Sequence, residues 1–382
     1  MATNNAAQIL ANNNSWLLGS AGRNFAMPNK AFTQAGQVID LELESVPGWV
    51  SYIDLDVYVD LAITVAAGGT APSLSPFAPW NLFQRVELSL GGGPFQNVSP
   101  FFYFLRECAM NPGWDPSVPG PQTYSYASDV YSVPAVNAPA GATTDNYWLF
   151  GMRIPLQVQH GSAIGFLPLG AATTVAKLRL TVQPQLVGSD AYMNPLTGGA
   201  NATVAIGTTK TSYVQPNINY RTTPPNAQSP LPNPTVGYVL NVQEASWPIN
   251  TTGTLMPMKF KDPFKYLRLW HIVMLGGSPD TTDVTNFEFD YLPGYAKDQW
   301  TSLNIQSYFV DTRRRYRRDL PVGVFVEDLW AGSDPANPNG SEVVDATVFQ
   351  TMQTQLAVSQ TATLGTNPRV ITYAEALAPV AF

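Results

Sequence analysis

Polar and apolar residues alternate along many short segments of this chain. The clearest case is residues 53–61, where apolar residues hold the odd positions and polar residues hold the even positions up to Tyr58. Such alternation is typical of a strand with one face on a core and the other toward solvent. Similar alternation recurs at residues 38–43, 83–90, 177–182 and 287–291. The pattern predicts a mainly antiparallel β-protein.

Further strand candidates follow at short intervals, separated by turn residues. They are residues 148–156 in the first half and 237–242, 266–275, 286–292, 323–329, 343–350, 354–359 and 370–373 in the second half. Turns with Gly-Gly-Gly, Gly-Ser-Pro and Asn-Pro-Asn-Gly lie between them. Strands spaced by about ten residues with such turns are typical of a sandwich or a barrel.

Two segments have helical character, and they fall at matching places in the two halves. Residues 101–110 end at Asn-Pro-Gly, and residues 301–319 stop before Pro321. Each half therefore has strands, one late helix and further strands, which is the layout of a jelly roll with an inserted helix. We predict an all-β fold of two eight-stranded jelly rolls, a double jelly roll, with a short helix in each.

The same layout predicts the domain limits. Residues 1–36 form an N-terminal arm that either orders against a partner or stays disordered. Residues 37–187 form the first jelly roll and residues 236–382 the second. Residues 188–235 form an insertion or linker, whose first part is an extra hairpin or part of the linker. Trp16 and Leu17 are the candidate contact residues of the arm.

Composition adds a preference for assembly. Charged residues make up only 12% of the 382 residues, and the net charge is −7. Neutral polar groups cost less to desolvate than charges, so a low-charge surface suits contacts with neighbouring subunits. An acidic chain is not typical of a protein that coats nucleic acid. The N-terminus lacks the basic start and apolar core of a signal peptide, so we expect the product to leave its cell only on lysis.

Signatures of catalysis and cofactor binding are lacking in the sequence. Cys108 is the single cysteine, and the two histidines, His160 and His271, have no second ligand at metal-binding spacing. His271 lies in an apolar segment and is interpreted as a core or interface residue. The carboxylate pairs fall on the polar side of alternating strands, which indicates a solvent face; they are Glu42/Glu44, Asp54/Asp56 and Glu288/Asp290. We predict no enzyme activity, no cofactor and no metal.

One basic cluster stands out. It consists of Arg313, Arg314, Arg315, Arg317 and Arg318, five of the chain's 20 basic residues. One interpretation is pairing with carboxylates within the chain or at a subunit interface, since arginine grips fixed carboxylates well. The other is contact with lipid headgroups or nucleic acid. The position at a helix C-terminus also suits the helix dipole.

Two segments resemble the major coat proteins of tectiviruses. Pro76-Phe-Ala-Pro-Trp-Asn-Leu-Phe-Gln-Arg-Val-Glu87 is similar to that family's Gly-Pro-x-Asn-Leu-x-Gln-Arg-Val pattern. Asp311-Thr-Arg-Arg-Arg-Tyr-Arg-Arg-Asp-Leu-Pro-Val-Gly-Val-Phe325 resembles its Thr-Arg-Arg-Arg stretch, which is followed by Asp-x-Pro-x-Gly-Val. Both matches occur in the family's order, at comparable positions.

The resemblance implies a double jelly-roll capsid protein of the virion, assembled in the host cytoplasm. Homotrimers with a pseudo-hexagonal outline would tile an icosahedral shell over an internal membrane, beside penton and minor capsid proteins. Loops between the family's strands form outward towers, so the resemblance adds a tower loop as a third interpretation of residues 188–213. No sequence-specific nucleic acid is implied. The N-terminal arm has fewer helix formers than the family's amphipathic start. A membrane contact of this arm therefore does not follow from the resemblance.

Two other function classes fit the residues without the resemblance. A two-domain carbohydrate-binding or glycoside-cleaving β-sandwich would use the abundant Trp and Tyr as a platform beside a carboxylate pair. A phage spike or tail component would also be rich in β-structure, and it would form an elongated trimer.

Overall fold

A computed structural model of the chain describes most of its residues. The described ranges are 16–91, 93–110, 122–123, 130–158, 163–169, 175–222, 238–260, 262, 265–292, 295–301, 304–316, 319–329, 344–345 and 352–379.

Strands dominate the first part of the chain. They are β1 (Ala21–Ala26), β2 (Lys30–Phe32), β3 (Val38–Glu42), β4 (Trp49–Val65), β5 (Ser73–Leu74), β6 (Phe83–Leu90), β7 (Gly93–Val98), β8 (Gln122–Thr123), β9 (Val130–Val133), β10 (Ala142–Pro155), β11 (Ala176–Val182), β12 (Val187–Gly188), β13 (Leu196–Thr197), β14 (Ala202–Ile206) and β15 (Ser212–Thr222). A 3-10 turn covers Trp80–Leu82, and helix α1 covers Phe101–Met110.

The second part of the chain also consists mainly of strands, with one helix. Its strands are β16 (Tyr238–Pro248), β17 (Met256–Phe260), β18 (Lys265–Leu275), β19 (Ser278–Pro279), β20 (Val284–Leu292), β21 (Tyr295–Trp300), β22 (Val324–Asp328), β23 (Val344–Asp345), β24 (Met352–Val358) and β25 (Arg369–Pro379). Helix α2 covers Ile305–Tyr316. Both predicted helices are thus present, and α2 is shorter at each end than the predicted 301–319.

The described residues divide into two compact units. The first holds those up to Leu240 together with Pro379, and the second holds Asn241–Ala378. In the first unit, one sheet has the order β1-β15-β4-β10-β9-β8, and β7-β6-β11-β3 are neighbours in another. In the second unit, β19-β18-β25-β16 form one sheet and β17-β24-β20-β21 another.

The long strand β4 shows how the sequence pattern produces this packing. From Ile53 to Val65 its odd-numbered residues are buried in the core, as the alternation predicts. Its antiparallel neighbours β10 and β15 cover both edges. In the second unit the corresponding core includes Leu269, Phe287 and Leu356, contributed by both sheets. Each unit thus buries the apolar faces of its strands.

Strands also form in two stretches to which the sequence pattern assigns no definite strand. Residues 187–222 contain β12 to β15, and β14 and β15 pair with β4. Within the predicted arm, β1 and β2 both pair with β15. This part of the predicted arm therefore pairs with a strand of its own chain.

The first segment that resembles the coat proteins forms a buried corner. The side-chain amide of Asn81 donates 2.9 Å hydrogen bonds to the backbone oxygens of Ala191 and Asn194. Trp80 stacks on Phe104 of α1, with ring centroids 4.0 Å apart. The segment therefore ties the start of β6 to α1 and to the turn after β12, which is a structural role.

Candidate functional site

Helix α2 carries the basic cluster and presents two different faces. Ile305, Tyr308, Thr312 and Tyr316 are buried, and their spacing of three or four residues places them on one face. The opposite face is exposed and includes Val310, 47% exposed, beside the arginines. The helix thus packs with an aromatic face and offers a basic face to its surroundings.

Two tyrosines fix α2 to strand β22. The Tyr308 hydroxyl donates a 3.0 Å hydrogen bond to the carbonyl oxygen of Val326 and accepts one of 2.6 Å from the Val326 amide. The Tyr316 hydroxyl donates a 2.6 Å hydrogen bond to Oδ2 of Asp328. Burial raises the pKa of both hydroxyls, and beside Tyr316 the carboxylate of Asp328 adds to the rise. Both side chains therefore act as neutral donors.

A buried cluster of charged side chains lies beneath this helix. Arg268 Nε lies 3.2 Å from Asp328 Oδ1, and Arg268 Nη1 lies 3.2 Å from Glu375 Oε1, with all three side chains at most 2% exposed. Burial lowers the pKa of Arg268, but the two carboxylates outweigh this effect and raise its pKa overall. Trp270 Nε1 also donates to Glu375, at 3.4 Å. The cluster connects β18, β22 and β25 to the end of α2.

The exposed arginines are partly neutralised by nearby carboxylates. Arg313 makes a bidentate hydrogen bond to Asp319, with both distances 2.6 Å. This contact raises the pKa of Arg313 and lowers that of Asp319. Arg314 is 78% exposed on its side chain and lies 3.5 Å from Asp311.

The other members of the cluster differ in position. Arg315 donates from Nη1 to the backbone oxygen of Asp328 at 3.4 Å. It therefore contacts a residue of the buried ion cluster. Arg317 and Arg318 lie outside the described residues. Within the cluster, the Arg314 side chain is thus more exposed than that of Arg313, which is 65% exposed.

The glycine of the second resemblance segment has a backbone reason. Gly323 has φ +79°, and an added Cβ would lie 2.9 Å from the carbonyl oxygen of Val273. A side chain at this position would therefore be strained and crowded. The Asp-x-Pro-x-Gly-Val pattern thus combines the ion-pair partner of Arg313 with the turn that starts β22.

The two predicted arm residues pack on their own chain. Trp16 is 1% exposed and contacts Phe166 edge-to-face, with ring centroids 5.8 Å apart. Leu17 is partly buried beside them. The neighbouring Leu18 is 89% exposed, and it was not among the predicted contact residues.

Three other polar residues from the sequence analysis are buried or hydrogen-bonded within their own chain. His271 is fully buried, its Nδ1 lies 2.9 Å from Thr372 Oγ1, and burial lowers its pKa to about 3. Asp54 accepts hydrogen bonds from Arg153 and Asn219. Glu288 corrects the prediction of a solvent face, because it is 7% exposed on a strand that has a neighbour along each edge.

The described ranges contain no group of three or more His, Cys, Asp or Glu side chains arranged to hold a metal ion. No helix of those ranges is long and apolar enough to cross a membrane.

Sequence patterns do not reveal the buried ion cluster. Arg268 and Glu375 each have apolar residues on both sides in the sequence, and a charge in such a place needs a compensating partner. That signal predicts buried pairing, but it does not identify which strands bring the partners together.

Comparison with known proteins gives matches at the level of structure. No family model matches the chain, and no curated protein sequence matches it. The STIV MCP superimposes with a TM-score of 0.64 at 13% identity, covering 94% of this chain and 96% of that one. The Faustovirus major capsid protein gives 0.58 at 8% identity, covering 95% and 91%. The major capsid protein P2 from bacteriophage PM2 gives 0.52 at 9% identity, covering 94% and 98%.

Likeness at this level of identity concerns the fold. The superpositions extend over nearly the whole chain, and therefore over most of both units. The predicted all-β double jelly roll is thereby confirmed.

Proposed function

We propose that this chain is a major capsid protein, a structural protein of a virion. The observation that carries the proposal is full-length similarity to solved structures that are themselves capsid proteins. Fold alone does not determine function, because one fold can support many activities. Here the superpositions cover at least 86% of each protein compared, across several viruses.

The proposed assembly is a homotrimer. Two jelly rolls in one chain make a block with two similar units, and three such chains in a ring give six units and a pseudo-hexagonal outline. Hexagonal blocks can tile an icosahedral shell, in contact with neighbouring capsomers and with penton and minor capsid proteins. A membrane surface beneath the shell belongs to the same proposal, as does assembly in the host cytoplasm.

The exposed face of α2 is the proposed contact between copies. Arg314 offers an exposed guanidinium group, and Val310 on the same helix adds exposed apolar surface. Val322, in the turn that precedes β22, is 63% exposed. Arginine next to apolar residues is typical of protein interfaces. The ion pairs of Arg313 and Arg314 reduce the net positive charge, which favours a protein neighbour over lipid or nucleic acid at this face.

Negative-stain electron microscopy and native mass spectrometry test the proposal. We expect trimeric particles with a hexagonal outline, and a trimer mass at micromolar concentration. A stable monomer across the concentration range used for assembly would overturn it. An elongated trimer without hexagonal outline would instead support a spike or tail component.

A further inference from the structure

An open groove with an aromatic wall lies within the second unit. It has a volume of about 490 Å³ and runs between β16 and β17. Gln243, Ala245 and Trp247, at alternate positions of β16, line one side. Strand β17, at the edge of its sheet, lines the other with Pro257 and Lys259. A concavity of this size is in the range that holds small molecules.

Three aromatic rings form the apolar part of the groove. The ring centroids of Trp247 and Phe260 are 6.2 Å apart at 72°, and those of Phe260 and Tyr266 are 6.0 Å apart at 59°. Trp247 is half-buried, while Phe260 and Tyr266 are 9% and 2% exposed. Phe260 and Tyr266 are held within the core of the second unit, and Trp247 lies at the margin of that core. Ala245 and Ala374 leave room beside it.

The polar part of the groove offers both donors and acceptors. Lys259 supplies an ammonium group, Asp262 a carboxylate and Gln243 an amide that has both functions. The Tyr266 hydroxyl donates a 3.3 Å hydrogen bond to the backbone oxygen of Asp262, which orients this rim. One positive and one negative side chain leave the rim close to neutral.

The indole N–H of Trp247 is unsatisfied. It is shielded from solvent and has no hydrogen-bond acceptor within the part of the chain that the structure describes. A buried donor without an acceptor is energetically unfavourable. A ligand oxygen that reached this N–H after a small rotation of the ring would recover that cost.

We propose that this groove binds the pyranose ring of a neutral carbohydrate. A pyranose has an apolar C–H face that packs on aromatic rings, and hydroxyl groups that both donate and accept hydrogen bonds around its edge. The groove presents those two chemistries side by side. A purely apolar ligand would leave Gln243, Lys259 and Asp262 without hydrogen bonds on desolvation. A strongly charged ligand would meet a rim with no net charge to attract it.

Carbohydrate binding in this groove would be a function separate from shell formation. It would not require the capsid role, since the residues that line the groove all belong to the second unit. On a virion, the same groove would provide attachment to a glycosylated surface.

Titration of the full-length protein with simple sugars tests the proposal. The probes are the methyl glycosides of glucose, galactose, mannose and N-acetylglucosamine, followed by ligand-observed NMR and calorimetry. We expect at least one to bind with a Kd of about 1 mM or tighter. Trp247→Ala should weaken that binding by about tenfold or more, because it removes the wall. Gln243→Ala, a milder change at the rim, should weaken it several-fold.

Trp300→Ala is the matched control. Trp300 is also a half-buried tryptophan that packs on the core of the second unit, and it does not line the groove. It should bind the sugar as the wild type does. Failure of all four glycosides to bind would overturn the proposal. So would equal losses in Trp247→Ala and Trp300→Ala, or preferential binding of N-acetyltryptophanamide, which would indicate a peptide groove.

The oligomeric state of each variant, measured in the same samples, separates this inference from the capsid proposal. Trimers that bind no sugar would overturn the groove alone. Sugar binding by a monomer would overturn the capsid proposal alone.

Discussion

The hydroxyl of Tyr316 donates a 2.6 Å hydrogen bond to Oδ2 of Asp328, whose Oδ1 lies 3.2 Å from Nε of Arg268. One carboxylate therefore joins the last residue of α2 to a buried arginine on β18. The position of the helix that carries the exposed arginines depends on a contact that is itself shielded from solvent. Folding of the second unit and presentation of its basic face are linked at this point.

Replacement of Tyr316 by phenylalanine tests this link. Tyr316→Phe keeps the ring but removes the donor, so Asp328 loses a hydrogen bond in a buried place. A hydrogen bond to a charged group contributes about 1.5–3 kcal/mol, and we expect a loss of stability of that order. Thermal unfolding followed by tryptophan fluorescence measures it. Tyr220→Phe, at a half-buried tyrosine of the first unit, should leave the midpoint unchanged; equal shifts in both variants would contradict the prediction.

Removal of the buried arginine should have a larger effect. Arg268→Met leaves Asp328 and Glu375 without their cation, and breaking a buried ion pair from one side costs about 3–5 kcal/mol. Urea unfolding measures the loss. The triple variant Arg268→Met, Asp328→Asn, Glu375→Gln should recover much of it, because the two carboxylates that faced the arginine are then neutral amides.

Arg179→Met is the surface control for this experiment. Arg179 pairs with Asp40 at 2.7 Å, but its side chain is 52% exposed. Solvent screens such a pair, so the variant should unfold close to the wild type. A triple variant no more stable than Arg268→Met would show that the cluster contributes through packing rather than through charge compensation.

The basic face of α2 should matter more for assembly than for folding. In Arg314→Ala with Arg315→Ala, the first change removes an exposed guanidinium group and the second a contact to the Asp328 backbone. We expect fewer shells by sedimentation and electron microscopy, with a melting temperature within a few degrees of the wild type. The Lys double variant at the same positions keeps the charge and should assemble in part. Normal shells from the Ala variant would count against the proposed contact.

The alternation of polar and apolar residues and the signals at helix ends predict most of the strands and both helices. The pattern of residues 53–61 predicts β4 because solvent and core select opposite residue types on its faces. The apolar run 101–110 ends at Asn-Pro-Gly, and α1 has the same bounds. Strand order is a different matter, because it depends on contacts between distant segments. The pairing of β15 with β4 and of β1 with β15 has no local signature.

The candidate sites were predictable only in part. The arginine cluster is visible as a run, but the bidentate contact of Arg313 with Asp319 depends on where the chain turns after α2. The groove at Trp247 brings together residues from β16, β17 and β18. None of these segments is unusual by itself, so only the folded arrangement shows the site.

The corner at Asn81 offers a test of the first resemblance segment. Its amide donates to the backbone oxygens of Ala191 and Asn194 in a fully buried place. Asn81→Asp keeps the shape but replaces the donor with a negative charge that faces those oxygens. We expect a loss of several kcal/mol, as for other unpaired buried charges, measured by urea unfolding. Asn201→Asp, at an exposed position just before β14, is the control and should lose much less.

The buried histidine predicts how stability depends on pH. Burial lowers the pKa of His271 to about 3 in the folded protein, whereas an unfolded histidine has a pKa of about 6.5. Between these values the unfolded chain binds a proton that the folded chain does not. This contribution to stability is therefore complete above about pH 6.5, and it is lost progressively as the pH falls toward about 3.

Replacement of the histidine isolates this contribution from that of the carboxyl groups. Lowering the pH from 7 to 5 should cost the wild type about 2 kcal/mol more than it costs His271→Phe, which has no titrating group at this site. Urea unfolding at both pH values measures the difference. Thr372→Val is the matched control, since it removes the hydrogen-bond partner of His271 at 2.9 Å but keeps the imidazole. It should lower stability at both pH values and retain the pH dependence of the wild type. Equal pH dependence in the wild type and His271→Phe would mean that His271 takes up a proton in the folded state, which its apolar surroundings between Phe260 and Phe287 oppose.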